Sequence, residues 1–229
     1  MSQVEQPSDR HIVPMSGLRG VIAKAMATGW QAPRVALGLE VGMDAPITRA
    51  RALTAELGVK ISLTPLILAA LARTLTQHPR LNALVTARGI EEVHAVNLAV
   101  AVDTPAGLVA PVIRDAQAKS VGALARELTD LAERARAGTL PPSGYQKGTF
   151  TLSNLGAAGI DWLTPVINPP QVAILGVGRT REAVIVRDGA PAVARVATLT
   201  LVFDHRAIDG FPAGLFLRDL GAEIAAARD

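Results

Sequence analysis

Cysteine is absent from the 229 residues, which excludes a disulfide framework, a thiolate metal site and a cysteine nucleophile. Aromatic residues make up only 3% of the chain, so the core must come from the Ala, Val, Leu and Ile that dominate its 49% apolar content. Histidine occurs four times, at His11, His78, His94 and His205, too scattered for a dedicated zinc site; no metal is expected. The net charge is +3 with basic residues spread along the chain, and no basic run alternates with stacking aromatics. Nucleic acid is therefore not an expected partner, whereas a mildly positive surface suits an anionic ligand such as a nucleotide phosphate. No apolar run reaches the roughly 18 residues of a membrane span, and the polar N-terminus lacks a signal peptide's apolar segment. A cytoplasmic protein with no membrane partner is expected.

Periodicity along the chain alternates between helix and strand. Met1–Arg10 is polar and reads as a disordered lead-in; Ser16 is placed to cap a helix carrying Leu18, Val21, Ile22, Ala25 and Met26, ended by Gln31-Ala32-Pro33. Val35–Val41 reads as a strand and Asp44–Leu57 as a helix closed by Gly58. Thr64 as cap and Pro65 at the first helical position predict an apolar core helix to about Gln77, stopped by His78-Pro79. Ala83–Ala87, His94–Val102 and Leu108–Ile113 read as strands, with Asp103–Gly107 a turn. A long amphipathic helix spans Ser120–Ala137. After it come strands at Gly148–Ser153, Gln171–Val177, Glu182–Arg187 and Val193–Phe203, with Asp188-Gly189 as a hairpin turn and a last helix over Phe211–Ala226. The absence of a regular βαβ alternation points to one domain of α/β sandwich class.

Chemistry concentrates in Asp204-His205-Arg206-Ala207-Ile208-Asp209-Gly210, which follows the apolar run Ala197–Phe203. An imidazole, a guanidinium and two carboxylates share one turn at the end of a core strand, and imidazole is the side chain best suited to trade a proton near neutral pH. A second motif is Gly148-Thr149-Phe150-Thr151-Leu152-Ser153-Asn154-Leu155-Gly156, followed by Asn168-Pro169-Pro170-Gln171 and the run to Gly178.

With the segments Pro14–Arg19 and Ala101–Ile113, these motifs resemble the catalytic domain of the acyltransferase (E2) component of 2-oxo acid dehydrogenase complexes, over about Ile12 to Leu220. The resemblance implies a two-layer α/β sandwich of the chloramphenicol-acetyltransferase-like type, a mixed sheet with helices on one side, in a domain of residues 12–229. It implies acyl transfer between dihydrolipoamide and coenzyme A, with His205 as general base on the thiol. Asp209 counts as an active-site residue orienting or stabilising the histidine, and Ser153 as donor to the tetrahedral oxyanion. Read without it, Ser153 is an ordinary strand-end serine; Leu152–Gly156 lacks the Gly-x-Ser-x-Gly elbow of a serine nucleophile. Asp103 is the implied ion-pair partner of Arg206, and Ser62, Asp103, Ser153, Asn154 and Gly178 are the implied coenzyme A contacts, with Arg49 or Arg51 a further contact for its phosphates. The implied partners are two more copies of the chain in a homotrimer with sites between subunits, a lipoyl domain, and the dehydrogenase (E1) and dihydrolipoamide dehydrogenase (E3) components.

The chain departs from that pattern at its ends. No lipoyl or subunit-binding domain fits ahead of His11, so the lipoyl group is expected from another domain or chain; truncation and a stand-alone protein both stay open. The ending Ala225–Asp229 lacks an apolar tail, so a free trimer rather than a cage is expected. Ser153 stands where succinyl-transferring relatives of the family carry a threonine, so the resemblance implies acetyl or a branched-chain acyl group, with acetyl first because Ser-Asn-Leu-Gly and Ile-Asn-Pro-Pro-Gln are most similar to the pyruvate type. Two other readings stay open: a non-catalytic core or scaffold subunit, and a chloramphenicol-acetyltransferase-like O-acetyltransferase.

Overall fold

A computed structural model of the chain describes residues 12–228. The expected lead-in over Met1–Arg10 lies outside them. Five helices, α1 (Gly17–Trp30), α2 (Asp44–Leu57), α3 (Leu63–Gln77), α4 (Val121–Arg136) and α5 (Gly210–Ala226), combine with eleven strands. These are β1 (Arg34–Gly42), β2 (Ala83–Thr86), β3 (Gly89–Glu92), β4 (Leu98–Val100), β5 (Val102–Thr104), β6 (Gly107–Val109), β7 (Val112–Ile113), β8 (Phe150–Asn154), β9 (Ala173–Val177), β10 (Arg181–Arg187) and β11 (Ala190–Asp204).

The main sheet has seven strands in the order β1-β11-β9-β8-β4-β7, with β10 added to β11. It is mixed: β8 runs parallel to β4 and β9, and its other pairings are antiparallel. Side chains alternate across a strand, so β8, β9 and β11 present two different faces. Leu152, Leu175, Leu201 and Phe203, none of them exposed, join the main core with α3 and α5. The neighbours Ile174 and Val202 belong to a separate small cluster with Ile167 and half-buried Ala32 on the other face. There the sheet is covered by extended chain: a Cβ built on Gly176 would meet Leu163 and Pro165 at 3.0–3.1 Å.

Several predicted elements are observed as read, among them α2 with Gly58 in the left-handed region at φ 63° and α4 with the Ser120 hydroxyl accepting from the Ala123 amide. The β10–β11 hairpin turns through Asp188 (φ 52°) and Gly189 (φ 80°), the pair of positive angles a two-residue turn of this hand needs. Others differ. Ser16 precedes α1 but its side chain makes no capping bond. α3 starts at Leu63, which puts Pro65 at the third helical position and leaves Thr64 inside the first turn with its hydroxyl turned elsewhere. The expected strand over His94–Val102 is shorter: β4 covers Leu98–Val100, and Val102 belongs to β5 after a break at Ala101, while the Asn97 side chain just ahead of β4 donates to the Lys147 carbonyl and accepts from the Asp115 amide. The expected turn over Asp103–Gly107 is the β5–β6 hairpin, and Ala110-Pro111 splits the strand expected over Leu108–Ile113.

Candidate active site

β11 carries the apolar run to Phe203 and then the charged turn. Asp204, 2% exposed, holds that turn: its Oδ1 accepts from the Arg206 amide at 3.0 Å and its carbonyl from the Ala207 amide at 2.9 Å. Its carboxylate also takes the Arg206 guanidinium in a forked pair, Nη2 to Oδ2 at 2.6 Å and Nε to Oδ1 at 3.0 Å. Hydrogen bonding to Asp204, and then its charge, push the Arg206 pKa above the usual guanidinium value. Within this chain the partner of Arg206 is therefore Asp204 and not Asp103, because a carboxylate two residues away in a closed turn is already aligned with the fork. Asp103 lies exposed on β5 opposite Leu108.

His205 stands on the open side of the turn. Its amide donates to the Pro33 carbonyl at 2.9 Å, which ties it to the start of β1, and its ring packs against Phe203 at 5.9 Å between centroids. Nδ1 faces Asp209 Oδ1 at 3.8 Å, while the side chain keeps 45% of its surface exposed. Asp209 ends the turn at the N-cap position of α5 and makes no side-chain capping bond, so its carboxylate is left facing the imidazole. This arrangement sets an accessible imidazole beside a carboxylate, the pair of group types that general acid–base chemistry uses.

The second motif forms elsewhere. Ser153 is half-buried on β8 beside Gly176 of β9, and its hydroxyl has no hydrogen-bond partner among the described residues. Asn154 faces the helices: its amide donates to Thr64 Oγ1 at 3.2 Å, and its Oδ1 accepts from the Gly156 amide at 2.8 Å. Thr64 is a residue that the sequence reading assigned to helix capping alone; 90 positions separate it from Asn154, so no local pattern marks the pair. Gly178 is required by packing, since a Cβ there would sit 1.9 Å from the Asp161 carbonyl oxygen. Ser62 is exposed just ahead of α3, and on α2 Arg51 is exposed and Arg49 lies 3.9 Å from Glu56.

Strand register separates the two motifs. Ser153 aligns with Gly176, and Gly176 with Thr200, five residues before His205. Five residues at about 3.3 Å and two strand spacings of about 4.8 Å put Ser153 and His205 about 20 Å apart in one chain. Two surface clefts, one lined by Asp44, Thr48, Arg49 and Ala226 and one by Glu40, Ile185 and Ala225, include neither residue.

Comparison with known proteins adds the family. The model described as 2-oxoacid dehydrogenases acyltransferase (catalytic domain) matches residues 7–228. The chain belongs to this family. The dihydrolipoyllysine-residue acetyltransferase component of the pyruvate dehydrogenase complex of Bacillus subtilis is 41% identical over 205 residues, covering 87% of this chain and 46% of the relative. The chain thus spans about half the length of the curated relatives it matches. The family's fold is matched by a dihydrolipoamide acetyltransferase of Azotobacter vinelandii, with TM-score 0.91, 33% identity and 96% of each chain covered. Chloramphenicol acetyltransferase, at 15% identity and TM-score 0.58 over 88% of this chain and 94% of its own, shares the fold alone, which bears out the expected sandwich class. Among the described residues, no helix is long and apolar enough to cross a membrane and no cluster suits a metal ion.

Proposed function

We propose that this acyltransferase-family domain moves an acyl group, acetyl by preference, between coenzyme A and the thiol of a dihydrolipoyl group carried by another domain or chain. One observation carries the reading: the two motifs lie at opposite ends of one sheet, with the His205 side chain exposed and the half-buried Ser153 hydroxyl without a hydrogen-bond partner among the described residues. A site using both closes only when the His205 turn of one copy meets the Ser153 strand of another. A closed ring of three copies satisfies this with identical sites, and the dehydrogenase components E1 and E3 are the expected partners of such a core.

In that site the ring nitrogen of His205 turned away from Asp209 takes the proton from the incoming thiol, whose ordinary pKa near 8.5 leaves it mostly protonated at pH 7. The thiolate sulfur bonds to the thioester carbon, and the Ser153 hydroxyl donates to the oxygen that gains the negative charge. Collapse breaks the bond to the departing sulfur, which takes the proton back from His205, while Asp209 favours the imidazolium in between. Ser62, Asp103 and Ser153 line the coenzyme A channel in this reading, and Asn154 and Gly178 shape it through their contacts with Thr64 and Asp161. The Azotobacter protein was studied for the role of a serine, a histidine and an asparagine in its catalytic mechanism. The spacing of its serine and histidine equals that of Ser153 and His205, and its asparagine follows the histidine by the same four residues as Asp209 follows His205.

The test is transfer from acetyl-CoA to dihydrolipoamide, with succinyl- and isobutyryl-CoA as alternative donors. Acetyl-CoA is expected to serve best, and His205→Ala is expected to lower kcat by about 10²–10⁴-fold, the usual contribution of a general base. An assembled wild-type protein that transfers no acyl group from any donor would overturn the reading in favour of a scaffold subunit.

A further inference from the structure

We infer that Thr64 is a positioning residue for Ser153, an inference that rests on the acyl-transfer reading above. β8 is flanked on one side by β4, whose register ends at Val100 opposite Leu152. On the other side β9 continues through Gly176 opposite Ser153 and Val177 opposite Asn154. Ser153 and Asn154 therefore belong to a strand end that is paired on one side only, where backbone is free to fray. The Asn154 side chain supplies what the missing strand does not. Its amide reaches Thr64 Oγ1 at 3.2 Å, and its Oδ1 holds the Gly156 amide at 2.8 Å, closing the turn that leaves the strand.

Thr64 is a firm anchor because α3 is buried along most of its length, from Pro65 to Ala72 and again at Thr74 and Leu75. Leu152, fully buried, and Asn154 point toward that helix, and Ser153 between them points to the opposite face. Fixing both neighbours on the helix side fixes the backbone from which the Ser153 hydroxyl projects. A hydroxyl meant to stabilise an oxyanion needs such placement to within about 0.5 Å.

The experiment compares Thr64→Val, which removes the hydroxyl and keeps the shape, with Thr64→Ser, which keeps it. Kinetics of acetyl transfer and amide hydrogen exchange at Ser153–Gly156 are measured on the same assembled proteins. Thr64→Val is expected to lower kcat about tenfold, with a smaller rise in KM for acetyl-CoA because Asn154 also borders the channel, and to speed exchange at these amides, while Thr64→Ser restores both. In a Ser153→Ala background the Val substitution is expected to cost nothing further in kcat, because Thr64 acts through Ser153. Exchange and kcat that are unchanged in Thr64→Val, or a kcat loss that persists in Ser153→Ala, would overturn the assignment. Absence of transfer in the wild-type protein would instead sink the acyl-transfer reading, and the exchange rates would still decide whether Thr64 holds this strand end.

Discussion

Ser153 and His205 sit on the same sheet but five residues out of register, about 20 Å apart across β9. Neither can serve a substrate atom held by the other within one chain.

Subunit mixing follows from that separation. Assemblies built only from Ser153→Ala or only from His205→Ala chains are expected to be nearly inactive. Denaturing and reassembling the two in equal amounts is expected to restore about a quarter of the wild-type sites, because random assembly pairs an intact serine with an intact histidine at that frequency. Mixed assemblies that stay at the level of the separate variants would contradict a site shared between copies.

The turn that presents His205 depends on Asp204 rather than Asp103. Replacing Asp204 by Asn removes the charge that the Arg206 fork binds, while Asp103 forms no ion pair among the described residues. Chemical denaturation is expected to show a loss of about 1.5 kcal/mol for Asp204→Asn, the low end for hydrogen bonds to charged groups because Arg206 is largely exposed. Asp103→Asn is expected to leave the midpoint unchanged. Equal effects of the two would contradict the local pairing.

Gly178 is a packing requirement before it is a channel contact. Its amide donates to Thr198, Arg179 next to it donates to the Ile160 carbonyl, and the Arg179 side chain pairs with Asp161 at 2.6 Å. The loop is thus stitched down on both sides of the point where a Cβ would strike the Asp161 carbonyl. Gly178→Ala is expected to destabilise the protein by about 1–3 kcal/mol, the usual cost of forcing volume into a packed region, seen as a lower Tm. A variant with unchanged Tm and weakened coenzyme A binding would point to a contact role alone.

Local chemistry was enough to read the elements whose boundaries are set by nearby residues. Gly58 ends α2 because it adopts a left-handed angle, Asp188-Gly189 makes its hairpin for the same reason, and Ser120 caps α4 through its own third neighbour. The same approach failed where a side chain had a better partner far away or no partner at all. Thr64 bonds to Asn154 instead of capping, and Ser16 caps nothing.

By itself the sequence located the two strand ends that carry the proposed chemistry: the His205 turn after β11, and the end of β8, where Ser153 was singled out by the family resemblance. Those are matters of residue type and of apolar runs that stop at a polar group, and both are local. Only the tertiary structure decided where the two ends lie. Inserting β9 between β8 and β11, with the register Ser153–Gly176–Thr200, is a choice among long-range strand pairings that no short pattern encodes.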